Sequence, residues 1–172
     1  LHCFSPIVIL YYRGQNRRIM ISIKEYVSRE LIFIQNEVPS KDQALDFLCT
    51  RIAEFKKTQA DELREAVRER ENKISTGIGL GIAVPHGRLP EWGETTLSVL
   101  LLRKPLDYDA LDGKPVKLIL LFISDKDKPC EHINLLSRIS YILSDKDNLQ
   151  TLLKSETPDD LYKSFIEYGA QL

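Results

Sequence analysis

Apolar residues recur along this chain with two periods, and the alternation between them predicts the element order. Leu31 to Val38 reads as a short strand, after which Ser40-Lys41-Asp42-Gln43 has the form of a capping box opening a helix with Leu45, Leu48, Ile52 and Phe55 on one face. A second helical period runs from about Ala60 to Glu71, turns Leu63, Ala66 and Val67 inward and delivers Arg70 at its C-terminal end. Ile82 to Pro85, Thr95 to Arg103 and Val116 to Ser124 are apolar or β-branched runs bounded by Gly, Pro and Asp, and they predict the central strands. Leu111-Asp112-Gly113-Lys114 marks a tight turn before the last of these. Beyond Lys128-Pro129 the period lengthens again. Ile133, Leu136, Ile139 or Ser140, and Leu143 fall on one helical face, with His132 in the first turn. A short helix over Asn148 to Lys154 follows, and Thr157-Pro158-Asp159-Asp160 opens a last helix carrying Leu161, Phe165 and Tyr168, closed by Gly169. The expected fold is α/β, a mixed β-sheet flanked by helices on both faces, in a single domain.

Length and charge narrow the classes. From Met20, the chain's single methionine, to Leu172 the sequence has the size at which one hydrophobic core suffices. Residues 1–19 stand apart as an N-terminal extension of open origin: upstream sequence read in frame, a tag scar, or a genuine addition. Its apolar Phe4 to Tyr12 stretch is followed by Arg13, Arg17 and Arg18, whereas a secretory signal needs charge before the apolar run and a small-residue cleavage site after it. No run approaches the roughly 20 apolar residues of a membrane span. With 24 Lys and Arg against 25 Asp and Glu, the net charge of −1 leaves no electrostatic footprint for nucleic acid or an anionic membrane. Cys3, Cys49 and Cys130 are odd in number and lack metal-ligand spacing, so reduced thiols and a cytoplasmic location are expected.

The chemistry concentrates in Ser75-Thr76-Gly77-Ile78-Gly79-Leu80-Gly81-Ile82-Ala83-Val84-Pro85-His86-Gly87. Glycines at alternate positions clear one side of the backbone and permit φ > 0 turns. Pro85 then fixes the chain before His86 and Gly87 frees it after, so an imidazole stands at a rigid strand end, a usual place for ligand sites in open α/β sheets. With an unperturbed pKa of about 6.5, a neutral imidazole is a competent nucleophile near pH 7, and a phosphoryl group is its natural electrophile. A phosphorylated ring carries roughly two negative charges, which call for a guanidinium fork and N–H donors. Arg70 and His132 are the candidates for these, with Ser75, Thr76 and Gly87 as further phosphate-binding positions. Plainer readings stand beside each: a tight glycine turn with a hydrogen-bonded histidine, Arg70 on a solvated face, Ser75 and Thr76 shaping the turn. A Rossmann site is disfavoured, since a charged helix precedes the glycines and a strand follows them. A zinc site from His86, Cys130 and His132 lacks the usual ligand spacing, no metal is expected, and Gly-x-Ser-x-Gly is absent.

The run Gly77 to Gly87 resembles the active-site signature of the type-2 enzyme IIA domain (fructose, mannitol and nitrogen-regulatory class) of the bacterial phosphoenolpyruvate-dependent sugar phosphotransferase system. Arg70-Glu71 sixteen positions before His86, and His132 within Glu131-His132-Ile133-Asn134-Leu135-Leu136-Ser137-Arg138-Ile139 forty-six positions after it, match the family's spacing. The resemblance covers roughly Met20 onward and departs at Ile74, where many relatives carry a small residue. It implies that His86 accepts a phosphoryl group from the phosphocarrier HPr and passes it to an enzyme IIB domain for fructose-like sugar uptake. It further implies that His132 donates a hydrogen bond to the phosphoryl oxygens, that Arg70 screens their charge, and that no cofactor is needed. The alternative use within the family is nitrogen regulation, in which the phosphorylation state signals through binding of regulatory proteins. A carrier serving two partners needs an exposed rim, for which Leu89, Pro90 and Trp92 are candidates unless the tryptophan packs on the sheet end.

Overall fold

A computed structural model describes residues 22–170, so the extension over 1–19, and Cys3 with it, lies outside the described residues. After a turn of 3-10 helix at Ile23–Glu25 come β1 (Val27–Gln35), α1 (Lys41–Lys56) and α2 (Asp61–Glu71). The glycine-rich segment then forms β2 (Gly77–Gly79), β3 (Ile82–Ala83) and β4 (His86–Leu89). The long strands β5 (Thr96–Leu106) and β6 (Val116–Asp125) follow, and the chain closes with α3 (Pro129–Ser144), α4 (Lys146–Lys154) and α5 (Pro158–Gly169). Among the described residues no helix is long and apolar enough to cross a membrane.

The sheet is built around the antiparallel pair β5 and β6, which runs in register from Thr96 opposite Ile123 to Leu101 opposite Leu118. β1 adds parallel to β5, β3 and β4 add parallel to β6, and β2 pairs antiparallel with β3 at the edge. Both faces of the central pair are covered, which is why these strands read as continuous apolar runs and not as an alternation. Leu97, Val99, Leu101, Leu118, Leu120 and Phe122 face α3, α4 and α5 through Leu135, Ile139, Ile142, Leu152, Leu161 and Phe165. The intervening Leu100, Leu102, Ile119, Leu121 and Ile123 face α1 and α2 through Ala44, Leu45, Leu48, Ile52, Leu63 and Val67. The expected mixed sheet with helices on both faces is what the chain adopts.

Four local expectations change. The first strand starts at Val27, not Leu31. In α3 the buried positions are Leu135, Arg138, Ile139, Ile142 and Leu143, while Ile133 is half exposed. The inward face is the apolar set Leu135, Ile139, Ile142 and Leu143, spaced i, i+4, i+7 and i+8, and Arg138 shares it, buried along its stem and donating to the Gly169 carbonyl. Phe55 likewise stands partly in solvent at the end of α1. Gly169 is the last residue of α5, and its lack of a side chain admits Ile23, which a Cβ there would strike.

Candidate functional site

The chain reaches the site through a hairpin. Gly79, Leu80 and Gly81 all have positive φ (92°, 57° and 78°), a run that glycine makes affordable on either side of one strained leucine. Past the turn, β3 and β4 keep one register along β6, with Ile82 opposite Leu118 and His86 opposite Phe122. They are two halves of one strand, interrupted at Val84-Pro85. His86 therefore does not sit at a strand's C-terminal end, as its proline and glycine neighbours suggested; it is the first residue after the interruption. The interruption has a chemical result. The Val84 carbonyl accepts from His86's own Nδ1 at 3.0 Å, and the Pro85 carbonyl accepts from Phe122 N–H at 3.1 Å.

A carbonyl can only accept, so the proton lies on Nδ1 and the lone pair on Nε2. That Nε2 accepts from Arg70 Nε–H at 3.1 Å. The arginine is itself held by Nη1 donating to the Ile74 carbonyl at 3.0 Å, just beyond the C-terminus of α2. Behind His86 the Phe122 ring stacks at 5.2 Å with an interplanar angle of 17°. His132, in the first turn of α3, meets His86 edge-on, with centroids 5.1 Å apart at 72°. The predicted trio of His86, Arg70 and His132 is thus gathered from three separate elements.

Electrostatics keep both rings neutral. Burial pulls the His86 pKa below the ordinary imidazole value and Arg70 adds to that, against the opposing Val84 carbonyl and Glu71. His132 is pushed down to about 4, first by burial and then by His86, Arg88 and Arg70. A neutral His86 whose unprotonated Nε2 accepts from the Arg70 guanidinium can act as a nucleophile beside a ready anion screen.

The other three predicted positions take different roles. Ser75 Oγ accepts from Gly77 N–H at 3.2 Å, which shapes the turn. Thr76 is buried; its N–H donates to Glu71 Oε1 at 3.0 Å and its hydroxyl donates to Glu71 Oε2. Gly87 is buried in β4 opposite Ile123, and a Cβ there would lie 3.1 Å from Ala66 Cβ and 3.2 Å from Val67 Cγ2. Its glycine lets α2 lie against the strand, and this close approach brings Arg70 to the histidine. For Ser75 and Thr76 the geometry matches the plainer reading, in which they shape the turn. Leu89 and Trp92 are partly buried against the core on the α1 and α2 side and Pro90 between them is exposed, while Ile74, whose carbonyl holds Arg70, and Ile133, next to His132, are half exposed.

Glu71, which the sequence showed only as the neighbour of Arg70, takes a role of its own, and Ser124 and Arg88 join it unannounced. Glu71 is buried and also pairs with Lys41 Nζ at 2.7 Å, anchoring the loop that follows Arg70. Ser124 Oγ lies 2.7 Å from His132 Nδ1. Arg88, two residues along β4 from His86, donates to the Lys126 carbonyl at 2.6 Å. The signal for Ser124 was a hydroxyl at the end of an apolar strand, and for Glu71 its adjacency to Arg70. No group of three or more His, Cys, Asp or Glu that could hold a metal occurs among the described residues. Cys49 is buried and Cys130 exposed, both as free thiols.

Known proteins share this arrangement of elements. The family model described as "Phosphoenolpyruvate-dependent sugar phosphotransferase system, EIIA 2" matches residues 25–168. A nitrogen regulatory protein of Bradyrhizobium diazoefficiens is 31% identical over 140 residues, 81% of this chain and 92% of that one. The fructose-specific EIIA component of Haloferax volcanii is 29% identical, over 74% of this chain and 84% of that one. In structure, the nitrogen regulatory protein IIA-Ntr of Neisseria meningitidis superposes with a TM-score of 0.78 at 27% identity, covering 83% of this chain and 98% of its own. With the match spanning every element from β1 to α5, the chain belongs to the EIIA type-2 family of the phosphoenolpyruvate-dependent sugar phosphotransferase system.

Proposed function

We propose that this protein is a phosphoryl carrier in which His86 Nε2 takes a phosphoryl group from the phosphohistidine of HPr and surrenders it to a downstream partner. The observation that carries this is the paired fixation of one imidazole: Nδ1 donating to the Val84 carbonyl and Nε2 facing the Arg70 guanidinium. The Nε2 lone pair forms the new N–P bond as the donor's N–P bond breaks, and the donor ring, protonated on its other nitrogen, takes the bond's electron pair and leaves as a neutral imidazole. Nδ1 keeps its proton, so the phosphorylated ring is cationic and the Val84 carbonyl stabilises it. Arg70 Nε–H, released from Nε2 as the bond forms, is in place to donate to a phosphoryl oxygen. No proton changes hands. Such a transfer is governed by alignment and charge screening, which rigid placement of the ring supplies.

The recipient distinguishes two uses. In the transport use it is an enzyme IIB domain of a fructose-like system; in the signalling use it is a regulatory protein that reads the phosphorylation state. The relative at 31% identity and the structure at TM-score 0.78 are both named as nitrogen regulatory proteins, which favours signalling.

The test is phosphotransfer from phosphoenolpyruvate through enzyme I and HPr. The native protein should acquire one acid-labile, alkali-stable phosphoryl group, and His86→Ala should acquire none while keeping its fold by circular dichroism. Labelling of another residue in both proteins would overturn the assignment. Affinity capture with phosphorylated and unphosphorylated protein separates the uses: a regulator held by one form alone marks signalling, and a IIB domain that becomes labelled marks transport.

A further inference from the structure

We infer that Ser124 is a positioning residue: its hydroxyl donates to His132 Nδ1 and thereby sets His132 as an Nε2–H donor toward the phosphoryl group on His86. The inference rests on the phosphoryl-carrier reading of His86 for its purpose, and on geometry for its substance.

Ser124 is fully buried near the end of β6, and its Oγ lies 2.7 Å from His132 Nδ1. Among the described residues this is the hydroxyl's one hydrogen-bond partner. A buried O–H without an acceptor is strongly disfavoured. The Nδ1 lone pair is the acceptor that satisfies it, which leaves the proton of the neutral ring on Nε2. The reverse assignment, with Nδ1–H donating to Oγ, strands the serine proton. Phe122, two residues earlier on the same face of β6, lies against the His132 ring at 5.1 Å and 55° while stacking on His86. Alternate residues of one strand thus set the pitch of both rings, and Ser124 adds the choice of tautomer.

The choice has a consequence for transfer. With Nε2–H, the ring presents a donor to an incoming dianion; with a bare Nε2 it presents a lone pair and repels it. A neutral donor also holds the phosphoryl group less tightly than an imidazolium would, which suits a carrier that must release its cargo. The strongly depressed pKa of His132 agrees with a ring that stays neutral.

The test uses the full chain labelled with ¹⁵N, reading the ring nitrogens of His132 at pH 7 alongside phosphotransfer kinetics from phospho-HPr. The native protein should show His132 with a protonated Nε2 and an unprotonated, hydrogen-bonded Nδ1. In Ser124→Ala the Nδ1 resonance should lose its hydrogen-bonded shift and the tautomers should mix, with kcat for phosphoryl acceptance about fivefold lower and KM little changed, the effect of one lost hydrogen bond. Ser124→Thr, which keeps the hydroxyl, should restore both. A protonated Nδ1 in the native spectrum overturns the inference even if Ser124→Ala fails to fold. So does a Ser124→Ala protein with native His132 shifts and native kcat. Failure of the native protein to accept phosphate removes the carrier reading alone, since the tautomer assignment is read without HPr.

Discussion

At the scale of single residues, the site is a set of hydrogen bonds that keep one ring nitrogen unprotonated and turned to a guanidinium. His86 donates through Nδ1 to its own strand, two residues back, and this constraint places Nε2. Because burial depresses its pKa, the ring should titrate below the ordinary value of about 6.5. Histidine C2 resonances followed from pH 8 to pH 4 should show this directly; a His86 midpoint at or above 6.5 would contradict the burial argument. Arg70 spans two acceptors, with Nε on His86 and Nη1 on the Ile74 carbonyl. Lysine keeps the charge and loses the fork. Arg70→Lys should therefore lower phosphoryl acceptance by roughly tenfold to a hundredfold, the loss of one or two charge-assisted hydrogen bonds in the transition state, with the fold intact. A wild-type rate in that variant would show that charge alone suffices.

At the scale of elements, the site depends on how closely α2 lies on β4. Gly87 has Ala66, Val67 and Ile123 around the space a Cβ would fill, at 3.1 to 3.2 Å. Gly87→Ala should cost about 1–3 kcal/mol by overpacking. It should also push α2 outward and carry Arg70 with it, so phosphotransfer falls more than the stability loss explains. Denaturant unfolding and transfer rates measured together check both parts. The same helix ends in Glu71, whose carboxylate ties Thr76 and Lys41 to the loop after Arg70. Glu71→Ala leaves a largely buried ammonium and an unmet Thr76 N–H, and should destabilise the protein by roughly 3 kcal/mol, toward the low end for a broken buried pair because Lys41 keeps Asp109 Oδ2 at 3.9 Å and some access to water. An urea midpoint unchanged from the native protein would refute this.

At the scale of the whole molecule, two layers of helices hold a sheet whose central strands are buried on both sides, so stability is shared across the fold while the histidines add a dependence on pH. A histidine whose folded pKa lies below its unfolded value favours the neutral, folded form. For His132, with about 4 in the fold against about 6.5 unfolded, the unfolded chain binds more protons between those values. Its contribution is therefore complete above the unfolded value and declines as the pH falls from about 6.5 toward 4. The unfolding free energy should drop more steeply between pH 7 and pH 5 in the native protein than in His132→Gln. Equal slopes would mean that His132 is not held neutral.

The apolar periods and the spacing of Arg70, His86 and His132 were enough to place helices and strands, the two-faced cover of the sheet and the three side chains that meet in the site. The elements and the cover of the sheet follow from local propensity and burial, which leave their period in the residues themselves, whereas the trio was legible through the charge a phosphorylated imidazole demands and through the spacing shared with the resembled family. What remained hidden is what depends on register. That β3 and β4 are one interrupted strand, that the interruption turns the Val84 carbonyl onto His86, and that Ser124 meets His132 are consequences of where β6 lies beside them. In α3 two apolar faces overlap in the sequence, and packing on the sheet chose Leu135, Ile139, Ile142 and Leu143, leaving Ile133 half exposed and admitting Arg138, which donates to the Gly169 carbonyl. A hydrogen bond between distant segments has no period. Tertiary packing alone decides which ring nitrogen stays unprotonated and what it faces, and in this protein that decision sets the chemistry.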